Sequence, residues 1–203
     1  MNDSAASTLR ERKKIATKER IYREALALFR RKGFIATTVD EIAGAADVAK
    51  GTFFNYFKTK EAVLNYLGER QSLATAGEIG ATIQDPRLSL RQKLSHILRK
   101  LADNIESERD LMRMAAFEAV KVPDALASDP YRGIFKKAVA SLLAEGRARG
   151  EVRPDLDTEL VGTVIAGMYF QQVFDWCAAP APYPLGERLE AMIDLLWHGI
   201  GPG

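Results

Sequence analysis

The stretch Thr37-Thr38-Val39-Asp40-Glu41-Ile42-Ala43-Gly44-Ala45-Ala46-Asp47-Val48-Ala49-Lys50-Gly51-Thr52-Phe53-Phe54-Asn55-Tyr56-Phe57 decides how this chain folds. Thr38 with Glu41 three residues later makes a capping box, so a helix starts there. It ends near Ala46. Asp47 stands at the turn, where Asp is one of the few residues besides Gly that tolerates positive φ. A second short helix follows over residues 49–57. At about 100° per residue, Phe53 and Phe57 share one face and, with Val48, turn toward partner helices. Asn55 lies opposite, flanked by Gly51 and Thr52, with Phe54 and Tyr56 at the borders and Lys50 at the N-terminal end. That face carries what reading a DNA major groove needs: an amide able to pair with adenine, a hydroxyl, a methyl, and no bulk at Gly51. Tyr56, Lys58, Lys60 and the cap residue Thr38 are placed to meet phosphates. The same pattern also fits an αα-hairpin whose second helix is merely amphipathic.

The charge distribution around this stretch is uneven. Residues 1–60 hold 13 Lys or Arg against 7 Asp or Glu, and the remainder holds 16 against 20, within a formal net charge of +2. A basic N-terminal third on a slightly acidic body points to a polyanionic partner for the first part. No apolar run approaches the roughly 18 residues of a membrane span, and the N-terminal residues are too polar for a secretory signal. The single cysteine, Cys177, excludes an internal disulfide framework and fits a reducing compartment, so the expected localisation is cytoplasmic, with no membrane partner.

Working outward, the whole chain reads all-α, with about nine helices and no internal repeat. Residues 1–10 are expected to be a disordered tail. A first helix over 11–32 has the buried stripe Ile15, Ile21, Ala25, Leu28 and Phe29, and ends at Gly33 after a run of cations. A three-helix DNA-binding domain therefore covers 11–62, with its helix-turn-helix at 38–57. A body over 63–203 follows. Its helices are expected near 60–84, 89–107, 109–120, 130–150, 157–177 and 185–198. Asp129-Pro130 makes an N-cap followed by Pro, and that helix is expected to bury Ile134, Phe135, Ala138, Val139, Leu142 and Leu143. The Pro-rich segment 178–184 is a linker.

The N-terminal sixty residues resemble the DNA-binding domain of the TetR (tetracycline-repressor) family of bacterial regulators. The matching positions are Ile21, Ala25, Leu28-Phe29, Gly33-Phe34, Thr37-Thr38-Val39, Ile42-Ala43, Ala46, Val48, the run from Lys50 through Phe57, and Lys60-Glu61. The resemblance implies a homodimeric, all-helical repressor that binds a double-stranded DNA operator through its first three helices and a small-molecule effector through its body. It assigns base and phosphate contacts to Thr38, Lys50, Thr52, Phe54, Asn55, Tyr56 and Lys60. Three positions depart from the family pattern. Asp47 stands where Gly is usual, Ala49 where a Ser caps the reading helix, and Phe54 where Tyr is common.

In the body, residues 160–170 are apolar almost all round, so that helix must be covered on more than one side. Gly162, Ala166 and Gly167 allow close helix approach. Val161, Val164, Ile165 and Met168, with Leu189, Met192, Ile193, Leu196 and Trp197 of the last helix, resemble the family's dimer bundle. A protomer's own core would look the same in sequence. Candidates for an effector pocket are Met112, Met114, Phe117, Tyr131, Phe135, Tyr169, Phe170 and Phe174, with Trp176. Glu118 and Gln171 are its polar members if buried. Each of these residues equally fits plain core. No cofactor is expected beyond a small hydrophobic effector. His96, His198 and Cys177 lack metal-ligand spacing, and no nucleophile–base arrangement marks an enzyme.

Overall fold

A computed structural model describes residues 3–121 and 130–200, without the side chains of residues 3–7, 72–74, 120, 130, 131 and 200. The described residues form nine helices and no strand: α1 (Asp3–Lys32), α2 (Val39–Ala45), α3 (Lys50–Tyr56), α4 (Glu61–Gln84), α5 (Leu90–Glu106), α6 (Arg109–Val120), α7 (Pro130–Ala148), α8 (Thr158–Ala178) and α9 (Leu185–Ile200). The chain divides into two compact units, Met1–Glu69 and Arg70–Gly203.

In the first unit Ile21, Ala25, Leu28 and Phe29 of α1 are buried, as are Ile42, Ala43, Phe53, Phe57, Val63 and Leu67, and α1 packs on α2 and α2 on α3. Each large apolar side chain removed from water in this way contributes about 1.5–3 kcal/mol before entropy is counted. Ile15, expected in the same stripe, is 56% exposed. The α1 contacts around Tyr66 involve Lys18, which lies over the Tyr66 ring, Glu19, which accepts from its hydroxyl, and Tyr22, which meets it edge-on. All three lie downstream of Ile15. Residues 3–10, read as a tail, continue α1 from Asp3; an acidic residue at that end suits the helix dipole.

The two helix ends that frame the reading region form as the sequence indicates. Gly33 has φ +85° and donates its N–H to the Phe29 carbonyl at 2.9 Å, closing α1. Asp47 has φ +49°. Its N–H reaches the Gly44 carbonyl at 3.1 Å while that of Val48 reaches the Ala43 carbonyl at 3.0 Å. These are the two bonds of a helix end closed through the left-handed region, made here without glycine. α2 carries the full capping box of Thr38 and Glu41. α3 starts from Ala49 with no side-chain cap.

In the second unit α7 packs mainly on α8, and α5 on α9. Leu90, Leu94, Leu98, Leu143, Ile165, Trp176, Leu185 and Ile193 are almost wholly enclosed. Close approach of α7 and α8 depends on Gly162: a β-carbon there would lie 3.1 Å from the backbone of Ala140. Gly167, expected to play a similar part, is exposed and meets nothing. On α7, Val139, Leu142 and Leu143 are buried as expected, but Ile134 is 64% exposed and Ala138 also faces water. These two lie off the α7 row that meets α8. The expected cap Asp129 lies outside the described residues. Two hydrogen bonds that local pattern does not signal fix the start of α9 and the segment before it. Glu106 accepts the Leu185 N–H at the start of α9, and the Trp176 indole donates to the Tyr183 carbonyl at 2.7 Å, pinning the Pro-rich linker.

Candidate nucleic-acid interface and effector region

α3 turns Phe53 inward, fully buried, and its C-cap Phe57 is 2% exposed. Lys50, Gly51, Phe54, Asn55 and Lys58 are exposed, and Thr52 and Tyr56 are half-buried at the edges. Nothing lies within 4 Å of where a Gly51 side chain would begin. The outward face is therefore an amide, a bare backbone and a phenyl ring held edge-on against Phe53, with ring centroids 5.5 Å apart. Asn55 has no partner within the described residues competing for its amide, which leaves the bidentate pattern for adenine free.

The charged groups around this face are less free than the sequence suggests. Lys50 Nζ lies 2.8 Å from Asp40 Oδ2, with the two side chains 54% and 68% exposed. A pair so open to water is worth about 0–1 kcal/mol, so a phosphate can take the lysine from it. Thr38 is exposed at the start of α2, but its hydroxyl donates to Glu41 Oε2 at 2.9 Å. Lys32 also pairs with Glu41. The Lys32 ammonium first, and then the Thr38 N–H and hydroxyl, hold the Glu41 carboxyl down at about 2.

Lys60 departs most from expectation. Instead of pointing to a phosphate, its ammonium donates to the carbonyls of Phe34, Ile35 and Thr37 at 2.9, 3.3 and 3.1 Å, over the Phe34 ring. All three of its donors are used. Lys60 ties the 34–37 loop to the segment before α4. Local pattern carries no sign of this, because the partners are backbone atoms more than twenty residues away.

In the second unit, the residues expected to line an effector pocket pack on one another. Phe135, Tyr169 and Phe170 form one aromatic group, with centroids 4.7–5.8 Å apart. Burial raises the Tyr169 phenol well above its ordinary range. Phe117 and Phe174 make a second, looser contact at 6.4 Å, with Phe117 41% exposed. Met112 and Met114 are half-buried, and the Tyr131 side chain lies outside the described residues. Trp176 is buried. Glu118 pairs with Lys121, and Gln171 is exposed and donates to Asp175, so neither serves as a buried polar member. Cys177 is buried and its thiol is pushed up to about 11. An open cleft of about 220 Å³ lies elsewhere, between α4 and α5, lined largely by charged side chains that include Glu78, Lys100 and Asp103.

Of the residues expected at a dimer interface, Ile165, Leu189, Met192 and Ile193 belong to the unit's own core. Val161, Met168, Leu196 and Trp197 are half-buried. Val164 is 44% exposed, and it is joined by Leu160 at 62% and Leu195 at 72%, two apolar positions outside the expected interface. No helix among the described residues is long and apolar enough to cross a membrane.

Residues 21–67 match the family model described as bacterial regulatory proteins of the tetR family. Residues 76–199 match that of the C-terminal domain of TetR/AcrR family transcriptional repressors. The probable acrEF/envCD operon repressor of Escherichia coli K12 is 25% identical over 187 residues, covering 89% of this chain and 84% of that protein. Among solved structures, Thermus thermophilus FadR, a TetR family transcriptional repressor in complex with lauroyl-CoA, is 34% identical. It superposes with a TM-score of 0.70 over 90% of this chain and 94% of that one. Bacillus subtilis FadR, solved with stearoyl-CoA, has the same fold at 24% identity and a TM-score of 0.67, covering 90% and 98%.

Proposed function

We propose a function from one premise: this chain belongs to the TetR family of bacterial regulatory proteins, its larger part matching the C-terminal domain of TetR/AcrR family repressors. It is a DNA-binding transcriptional regulator, a repressor that leaves its operator when a small hydrophobic effector binds. The observation that carries the DNA reading is the outward face of α3, with Asn55 free, Gly51 open and the phenylalanine row buried behind them. Thr38, Lys50, Tyr56 and Lys58 border that face and meet the phosphates.

The working form is a cytoplasmic homodimer. Leu160 and Val164 lie one turn apart on α8 and share exposure with Leu195 of α9. A second copy covers them, with Met168, Leu196 and Trp197 at the margin. Two-fold symmetry then asks for a pseudopalindromic operator with half-sites about one helical turn, or a multiple, apart. For the effector, likeness to a repressor crystallised with lauroyl-CoA supports an acyl compound. Its chain enters where Phe135, Tyr169 and Phe170 now fill the space, so binding requires those rings to part. The dimer state with parted rings binds effector better, and that difference in affinity sets the size of the switch.

Selection of bound duplexes from a random library tests the reading. A two-fold symmetric consensus is expected, and a consensus without symmetry would remove the dimer geometry. Asn55→Ala should cost about 1–3 kcal/mol of discrimination at one base pair per half-site, with the salt slope unchanged. Unaltered preference in that variant would take Asn55 off the reading face.

A further inference from the structure

Two groups stand out among the arginines of the second unit. Arg87, Arg91, Arg99, Arg149 and Arg153 each pair with a carboxylate. Arg109, Arg113 and Arg132 pair with no carboxylate among the described residues, and each lies against an aromatic ring. The Arg109 guanidinium is 5.3 Å from the Trp176 ring centroid, that of Arg113 is 5.6 Å from Phe117, and that of Arg132 is 4.3 Å from Phe170. Arg109 gives one N–H to the Ala179 carbonyl at 2.9 Å, while its Nε is buried with no hydrogen-bond partner, alone in this among the described buried side chains. A buried donor left without a partner asks for an explanation.

Each of the three cations lies over a ring that belongs to α8 or touches it. Arg132 lies over Phe170, Arg113 over the Phe117 ring that meets Phe174, and Arg109 over Trp176; both Arg109 and Arg113 are close enough for the Cys177 thiol to feel their charge. Positions 170, 174 and 176 span roughly 9 Å of α8 at 1.5 Å per residue, with 170 and 174 one turn apart and Trp176 about 120° round the helix from Phe170. Stacking on a ring fixes a planar guanidinium and leaves its N–H donors available, whereas a carboxylate would occupy them. Three oriented guanidinium groups spread along such a length suit several phosphate charges better than one carboxylate.

We propose that Arg109, Arg113 and Arg132 hold the phosphorylated head of an acyl thioester effector, an inference that rests on the acyl-effector reading above. The acyl chain lies among the rings of Phe135, Tyr169 and Phe170, and the head lies across α6, α7 and α8 at the edge of that group.

The test uses the full-length protein on its selected operator. Lauroyl-CoA and laurate are titrated against the DNA complex, and coenzyme A without an acyl chain is titrated against the protein by calorimetry. Lauroyl-CoA should release DNA at a concentration at least about tenfold below laurate, since each charged hydrogen bond gained is worth about that factor. Arg113→Gln and Arg132→Gln, each referred to its own ligand-free operator affinity, should each erase most of that advantage and weaken coenzyme A binding. They should leave the laurate response within about twofold. Arg113→Lys should restore part of it, since a lysine keeps the charge and loses the fork. If lauroyl-CoA and laurate release DNA equally, or the Gln variants keep wild-type sensitivity, the head site is wrong while the acyl-effector reading survives. If coenzyme A binds and the Gln variants lose it, but no acyl compound releases DNA, the head site stands and the acyl-effector reading falls. Silence of the wild-type protein toward all three ligands overturns both.

Discussion

α3 and α8 use their apolar residues in opposite ways. α3 is seven residues long and buries one of them, Phe53, so nearly everything else on it is turned outward. α8 is 21 residues long and buries seven, among them Ile165, Tyr169, Trp176 and Cys177, while Leu160 and Val164 remain at its surface. In α3 the proposed reading face lies on the exposed side and the interior only holds the helix in place. In α8 the interior, the proposed interface and the proposed effector region draw on the same residue types, and three-dimensional packing alone sorts them. A short helix with one anchor should thus be fragile in stability and specific in contact, and a long apolar helix the reverse.

The largest effect should come from removing that anchor. Phe53→Ala takes away the one buried residue of α3 together with its contacts to Phe54 and Phe57. The expected loss is about 3–5 kcal/mol, read by denaturant unfolding, with operator binding lost as well. If the variant were as stable as the parent, α3 would not depend on its anchor and the contrast with α8 would fail. Next comes Gly162→Ala, where α8 should prove intolerant at one point. The added methyl meets backbone atoms of Ala140, which cannot swing aside as a side chain could. A loss of about 1–3 kcal/mol is expected. Gly167→Ala on the same helix, with open space around it, should cost nothing or stabilise slightly. Equal melting shifts in the two variants would deny the close α7–α8 approach.

This difference explains what the sequence could and could not say. Wherever a signal was local it was legible: the Thr38–Glu41 box, the positive φ of Asp47, the uncapped Ala49 and the burial of Phe53 and Phe57 all rest on a few neighbouring residues. Partners far apart along the chain were not. Lys60 reads as a surface cation until three loop carbonyls are found around it, and Asp40 gives no hint that it holds Lys50. In the body, Ile165 and Val164 are adjacent and equally apolar, yet one is core and the other surface. Hydrophobicity cannot divide them, and the stacking of Arg109 on Trp176 and of Arg132 on Phe170 has no local signal because each ring comes from another helix.

A smaller effect separates the two helices of the reading head. α2 has every cap it can use, whereas α3 begins at Ala49 with no side-chain bond to its free N–H groups. Ala49 already has extended backbone, with φ −66° and ψ 149°, as an N-cap requires. Ala49→Ser should therefore add about 1 kcal/mol by accepting from one of those N–H groups. Thermal melting would register it, and no gain would mean that other groups already satisfy this end of α3.

The smallest expected effect tests α2 from the acid side. Glu41 is ordinarily a group of pKa 4.5 and here lies at about 2, chiefly through its hydrogen bond from Lys32 and secondarily through those from Thr38. A carboxyl held below its unfolded value contributes stability that is complete above that value and is lost as pH falls toward the folded one. For Glu41 the window runs from about 4.5 down to about 2. Because the group faces water, solvent screens the contribution and it should be small. Following the Glu41 carboxyl carbon by NMR should place its midpoint near the lower end of this window. Lys32→Met should move the midpoint up more than Thr38→Ala does. If Thr38→Ala moved it more, the cap rather than the ion pair would hold the carboxylate, and α2 would be secured from within the helix instead of from α1.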